Sequence, residues 1–214
     1  YHTLNISGGY ISASGNEYST SLSWWNNNVK LNITGGYFKG SVEYAGAGSM
    51  TSDGHITGGY YSDKSARSYM ETGYGVLDNA DDATKTVYPY TVGPAFRVEF
   101  ELNGHGSTYY DIRYVADGGK ITKPEDPTEE GYTFEGWWTK NGTTTKPDSD
   151  EPDWGDPWNF DNAVTADTTL YAKWTTNTYT VTFHTHKDGV TVEPQTIEYG
   201  AKVVEPEKPY AEGW

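Results

Sequence analysis

One short phrase occurs three times in the first sixty residues: Asn5-Ile6-Ser7-Gly8-Gly9-Tyr10, Asn32-Ile33-Thr34-Gly35-Gly36-Tyr37 and His55-Ile56-Thr57-Gly58-Gly59-Tyr60. The copies lie 27 and then 23 residues apart. A repeat of about 20–50 residues constrains a chain strongly, because each unit can bury its apolar face only against its neighbours. In register the copies give a column of Ile6, Ile33 and Ile56, a column of Ser7, Thr34 and Thr57, and a column of Tyr10, Tyr37 and Tyr60. Around Leu4, Ile6, Leu31 and Ile33 apolar residues alternate with polar ones, the two-residue period of a strand. The Gly-Gly pair then permits a sharp corner with positive φ. A short strand, a glycine corner and a second short strand describe one coil of a parallel β-helix. Stacked coils would set like side chains about 4.8 Å apart, with isoleucines inside and tyrosines outside. A series of hairpins is the alternative, since Gly-Gly beside Asn or Ser also serves such turns. Hairpins, however, do not require one residue type in each column.

These coils define a first region at 1–93. Tyr1 stands inside a repeat with no cap before it, so the sequence reads as part of a longer chain. An open N-terminal β edge invites self-association. Tyr69, Gly73, Val76, Tyr90 and Val92 alternate loosely around the polar stretch Asp78–Thr86, which predicts a last coil or a closing hairpin. This run resembles the final coils of β-helical segments in surface proteins of Gram-positive and gut bacteria.

Composition narrows the class. With 15% aromatic residues the chain is not disordered, despite only 35% hydrophobic residues. Its wealth of Tyr, Thr, Ser and Asn suits strands with one wet face. The absence of Cys removes disulfides, thiolate nucleophiles and cysteine metal sites. Net charge is −15, and no segment is basic: residues 1–93, 94–175 and 176–214 carry −3, −9 and −3. No nucleic-acid partner is therefore expected. No run of 18 apolar residues exists, so no direct membrane insertion is expected.

Gly93-Pro94 is a natural joint. Phe96-Arg97-Val98-Glu99-Phe100-Glu101-Leu102 then alternates strictly and closes on Asn103-Gly104, a strand followed by a turn. Next come Gly118-Gly119-Lys120-Ile121, Pro124 with Pro127, Gly131-Tyr132-Thr133-Phe134-Glu135-Gly136-Trp137 and Thr169-Leu170-Tyr171-Ala172-Lys173-Trp174. With Val164 and Asp167, this order of motifs over residues 96–174 resembles the Listeria–Bacteroides repeat, or internalin-type B repeat. The resemblance implies a small β-grasp-like module at 94–175, used in tandem on bacterial surface proteins and carrying no catalytic residues. Tyr132, Phe134, Trp137, Leu170, Tyr171 and Trp174 are its expected core, each large side chain contributing about 1.5–3 kcal/mol if fully buried.

An incomplete second module occupies 176–214. Tyr179-Thr180-Val181-Thr182-Phe183 repeats Phe96–Phe100 at an offset of 83, and Gly200-Ala201-Lys202-Val203 with Pro206 and Pro209 repeats the segment from Gly118. The expected fold is thus all-β: the last coils of a parallel β-helix followed by β-grasp-like modules.

Candidate chemistry is sparse. Trp24, Trp25 and Tyr37 could present rings to a sugar. The acidic loop Asp148–Asp156 places carboxylates at alternating positions, where Ca²⁺ could bind, but it misses the EF-hand spacing. His184 and His186 would share a face if they lay on a strand. Glu43, Asp53 and Asp63 lie near the coils, yet no local cluster of Lys or Arg accompanies them to hold an acidic polysaccharide. The leading expectation is a non-enzymatic, extracellular segment on a bacterial surface. It would act as a stalk or adhesin scaffold, without cofactor, toward a host or neighbouring-cell surface protein or glycan. A carbohydrate-binding module is the alternative, followed by a fragment of a polysaccharide-cleaving enzyme.

Overall fold

The computed structural model describes residues 2–12, 20–24, 29–44, 55–105, 111–147, 149–186 and 189–208. Within them the chain is all-β, its only helical element a 3-10 turn at Ser65–Ser68. It divides into two compact units. One comprises Tyr1–Glu99, Asp111–Lys123 and Asn159–Thr169; the other comprises Phe100–Tyr110, Pro124–Trp158 and Leu170–Trp214.

The first unit begins with β1 (His2–Ile6), β2 (Tyr10–Ser12), β3 (Thr20–Trp24), β4 (Val29–Ile33), β5 (Tyr37–Lys39), β6 (Ser41–Tyr44), β7 (His55–Ile56) and β8 (Tyr60–Tyr61). These strands form parallel stacks in the orders β1-β4-β7, β2-β5-β8 and β3-β6. A chain of hairpins would pair them antiparallel, so that alternative falls. The sequence columns become columns in space. Ile6, Ile33 and Ile56 are register partners, as are Tyr10, Tyr37 and Tyr60. Ile33 and Ile56 are fully buried, with Leu31, Phe38, Val42 and Tyr61 around them. Phe38 and Tyr61 stack at 4.9 Å between ring centroids.

The glycine corners show how tightly the copies nest. A Cβ on Gly35 would lie 2.6 Å from the carbonyl oxygen of Ser7, and one on Gly58 would lie 2.3 Å from that of Thr34. Gly36 and Gly59 have φ of +108° and +107°, a region other residues rarely adopt. The stack ends in the closing hairpin: β9 (Tyr74–Asp78) and β10 (Tyr90–Pro94) pair antiparallel, and β10 also runs antiparallel to β8. Ser65 Oγ accepts a hydrogen bond from the Val42 amide at 2.8 Å, and Ser62 Oγ accepts one from Gly40 at 2.9 Å. Two donors of the β5–β6 corner are thereby satisfied.

Tyr61 carries a pH dependence. Its phenol donates to the Gly58 carbonyl at 2.8 Å from a fully buried position, and burial pushes its pKa well above the ordinary 10.0. The unfolded chain ionises this group first, so its contribution is intact below about pH 10 and is lost as pH rises beyond that. Urea midpoints should hold steady up to about pH 9.5 and fall above it. Tyr61→Phe should cost about 1 kcal/mol at neutral pH and blunt the fall. An alkaline fall of unchanged size in the Phe variant would locate the titrating group elsewhere.

The remaining strands are β11 (Phe96–Glu101), β12 (Asp111–Val115), β13 (Tyr132–Trp138), β14 (Thr168–Thr176), β15 (Thr178–Val181) and β16 (Gln195–Glu198). A four-stranded sheet takes the order β12-β11-β14-β13, and β15 pairs antiparallel with β16. In the second unit Phe100, Trp137, Leu170 and Ala172 are buried. The expected six-residue core is only partly right. Trp137 and Leu170 are inside, whereas Tyr132, Phe134, Tyr171 and Trp174 are half-buried. Successive strand residues face opposite ways, so Tyr171 cannot share the face of Leu170 and Ala172, whereas Trp174 shares that face but stands near the end of β14, where burial is incomplete. Trp174 instead donates its indole N–H to the Leu102 carbonyl at 2.9 Å. The β15–β16 pair rests on the same unit: Tyr199 lies where a Cβ on Gly131 would be 2.1 Å away, and the Asn177 amide donates to the Gly131 carbonyl at 2.8 Å.

Candidate functional site

The tyrosine column is built by β2, β5 and β8, whose parallel register stacks the rings of Tyr10, Tyr37 and Tyr60. Centroids are 4.6 Å and 4.9 Å apart, with planes 13° and 12° from parallel. Tyr88 tilts against Tyr37 at 5.2 Å. Tyr37 is half-buried, and loss of hydration followed by its tyrosine neighbours and Asp81 raises its pKa. Both faces of the Tyr37 ring are taken by the rings above and below. It offers an edge and a hydroxyl, while Tyr10 is 75% exposed. Trp24 ends β3 opposite Tyr44 in register. Trp25 lies outside the described residues, as do Asp53 and Asp148.

The other sequence candidates do not converge. In the acidic loop Asp153 pairs with Lys140 at 2.5 Å and accepts from the Gly155 amide at 2.9 Å, while Glu151 pairs with Lys146 at 2.9 Å. These hydrogen bonds hold both carboxyls below their ordinary pKa. Among the described residues no group of three or more His, Cys, Asp or Glu could hold a metal ion. His184 and His186 are not on a strand, because β15 ends at Val181 and His186 turns to φ +54°. The alternation that would have aligned their rings is therefore absent. Glu43 accepts from the Ser41 hydroxyl at 2.6 Å, and Asp63 accepts from the Ser65 amide at 2.8 Å.

A site absent from the sequence reading lies within the first unit. A cavity of about 440 Å³ is lined by four cations: Lys64 and Arg67 from the 3-10 turn region, Arg113 from β12, and Lys120 from the segment after it. The expectation that no Lys/Arg cluster exists holds along the chain and fails in space. Two carboxylates, Asp78 and Asp111, line the same cavity, with apolar surface from Val76, Ile112 and Ile121. Gly75 makes the arrangement possible. Its missing Cβ would lie 2.5 Å from the Cβ of Tyr114, so β9 and β12 pack closely only because residue 75 has no side chain. Arg113 is pinned, donating from Nε to Asp111 at 2.6 Å and from its guanidinium to the Thr122 carbonyl. Lys120 makes a solvent-exposed pair with Asp161 at 3.6 Å, a weak tether. Lys64 lies over the Tyr90 ring at 5.1 Å, and Arg67 has no ion-pair partner among the described residues. The sequence signal was weak, since the cations come from segments about 50 residues apart and are surrounded by acidic neighbours.

In-register repeats without a catalytic constellation among the described residues define an all-β repeat protein. Residues 96–173 and 179–214, more than half of the chain, match the Listeria-Bacteroides repeat domain, and the chain belongs to that family. Internalin H of Listeria monocytogenes is 36% identical over 122 residues, which are 56% of this chain and 19% of the relative. A protein of Evansella cellulosilytica, provisionally named a membrane protein, is 35% identical over 119 residues, 55% of this chain and 16% of its own length. A second protein of that bacterium, provisionally named a Gly-rich membrane protein, is 28% identical over 192 residues, 86% of this chain and 20% of its own. The matched region thus spans about a fifth of these curated relatives. Among the described residues no helix is long and apolar enough to cross a membrane.

Proposed function

We propose that the chain is a non-enzymatic, extracellular segment of a bacterial surface protein, serving as a stalk or adhesin scaffold for attachment. On this reading residues 1–93 are the last coils of a parallel β-helix, 94–175 a β-grasp-like repeat and 176–214 part of a second. Its partner is a surface protein or glycan of a host or neighbouring cell. The observation that carries the reading is the uninterrupted ladder. Among the described residues the repeated isoleucines and tyrosines stand in register on their counterparts in the next copy, isoleucine on isoleucine and tyrosine on tyrosine. Such residues serve length and rigidity rather than chemistry. The match to tandem repeats and the likeness to Internalin H support the same view. The covered faces of Tyr37 weigh against a sugar platform at that ring.

Antibodies raised against the purified chain should label intact cells of the source bacterium. Replacing the segment in its parent by an unrelated rigid module of similar length should preserve attachment to a surface. Labelling that requires permeabilised cells would overturn the surface reading. Attachment lost on replacement, despite normal display, would overturn the stalk and leave the adhesin.

A further inference from the structure

We infer that the cavity between β9, β12 and the 3-10 turn binds a carboxylate-bearing sugar, a uronate-type residue of an acidic saccharide. A volume of about 440 Å³ falls in the range that encloses a small ligand. Its lining is unlike the rest of the surface. A chain with 15 Lys and Arg against 30 Asp and Glu commits four of those cations to one concavity. Arg67 and Lys64 are the groups to meet the anion, because Arg113 is already occupied by Asp111 and Thr122. A carboxylate placed between them would gain charge-assisted hydrogen bonds, about twice as strong as neutral ones.

The two acidic residues select among anions. Asp78 and Asp111 in the same cavity would repel a compact dianion such as hydrogen phosphate more strongly than a singly charged carboxylate held on a sugar ring. A sugar ring with one carboxylate has hydroxyls to donate to Asp78, while Ile112 and Val76 offer apolar surface to its C–H face. Paired cations and carboxylates around a partly apolar floor therefore suit an acidic sugar better than a nucleic acid or a free phosphate. The inference does not rest on the stalk reading, since the test needs only the purified chain.

The whole chain is titrated calorimetrically at low salt with a trisaccharide of galacturonic acid, its neutral galactose counterpart and inorganic phosphate. The uronate should bind, with the neutral sugar and phosphate each weaker by about tenfold or more, the effect of losing one charge-assisted hydrogen bond. Binding should weaken as NaCl screens the cations. The double variant Lys64→Ala/Arg67→Ala changes two exposed side chains and should fold normally, yet it should lose about tenfold in uronate affinity. Asp78→Asn should narrow the gap between uronate and phosphate. No uronate binding, phosphate binding as tightly as uronate, or a double variant with unchanged affinity would each overturn the inference.

Discussion

Gly58→Ala should destabilise the first unit by about 3 kcal/mol, whereas Gly8→Ala, at the same place in the repeated phrase, should stabilise it slightly. The two differ only in what lies beyond them. A Cβ at Gly58 would meet the Thr34 carbonyl oxygen at 2.3 Å, a backbone atom just past the end of β4, where the Thr34 amide is tied to the Ile6 carbonyl at 2.9 Å and leaves it little room to step aside. A Cβ at Gly8 would meet nothing within 4 Å. Neither glycine has the positive φ of its successor, so steric contact rather than backbone strain decides the outcome. At Gly8 the remaining effect is reduced freedom of the unfolded chain, worth about 0.4–1 kcal/mol in favour of the fold. Gly35→Ala should resemble Gly58→Ala in sign, because its Cβ would lie 2.6 Å from the Ser7 carbonyl. Urea unfolding followed by far-ultraviolet circular dichroism measures the three midpoints. Equal effects at all three glycines would mean that the copies do not nest one upon another.

What the sequence revealed followed from periodicity. The isoleucine and tyrosine columns could be read in advance because a parallel ladder turns a fixed repeat into identical neighbours, and both columns are register partners in space. The Asn103-Gly104 turn was legible for a local reason, since Asn tolerates left-handed backbone, and Asn103 does take φ +56°. Burial within the repeat was harder to read. The large ring at Tyr171 suggested core, but which strand face looks inward depends on register, and register is a long-range fact. The cationic cavity was invisible for the same reason. Lys64 and Arg113 are joined by packing across β9 and β12, which Gly75 permits, and no local pattern announces a glycine chosen for its neighbour's ring. His184 and His186 failed the opposite way: their spacing suggested a shared face, but the strand stops at Val181 before it can align them.

Trp137→Ala should be the most damaging single change in the second unit, costing about 3–5 kcal/mol. Trp137 is 2% exposed, and its ring meets Phe100 edge-on at 4.8 Å and Phe134 at 5.4 Å. The β-bulge between Phe134 and Gly136, with Gly136 at φ +121°, re-aims the strand so that Trp137 stands opposite Ala172. A large ring thus faces a small side chain, and removing the ring leaves a cavity that Ala172 cannot fill. Trp174→Ala provides the contrast. That ring is half-buried and its loss removes one hydrogen bond to Leu102, so the cost should stay near 2 kcal/mol or below. Urea midpoints of the two variants rank them directly. If Trp174→Ala proved the costlier, the packing centre of this face would lie at the Phe134–Trp174 end rather than where Trp137 meets Ala172.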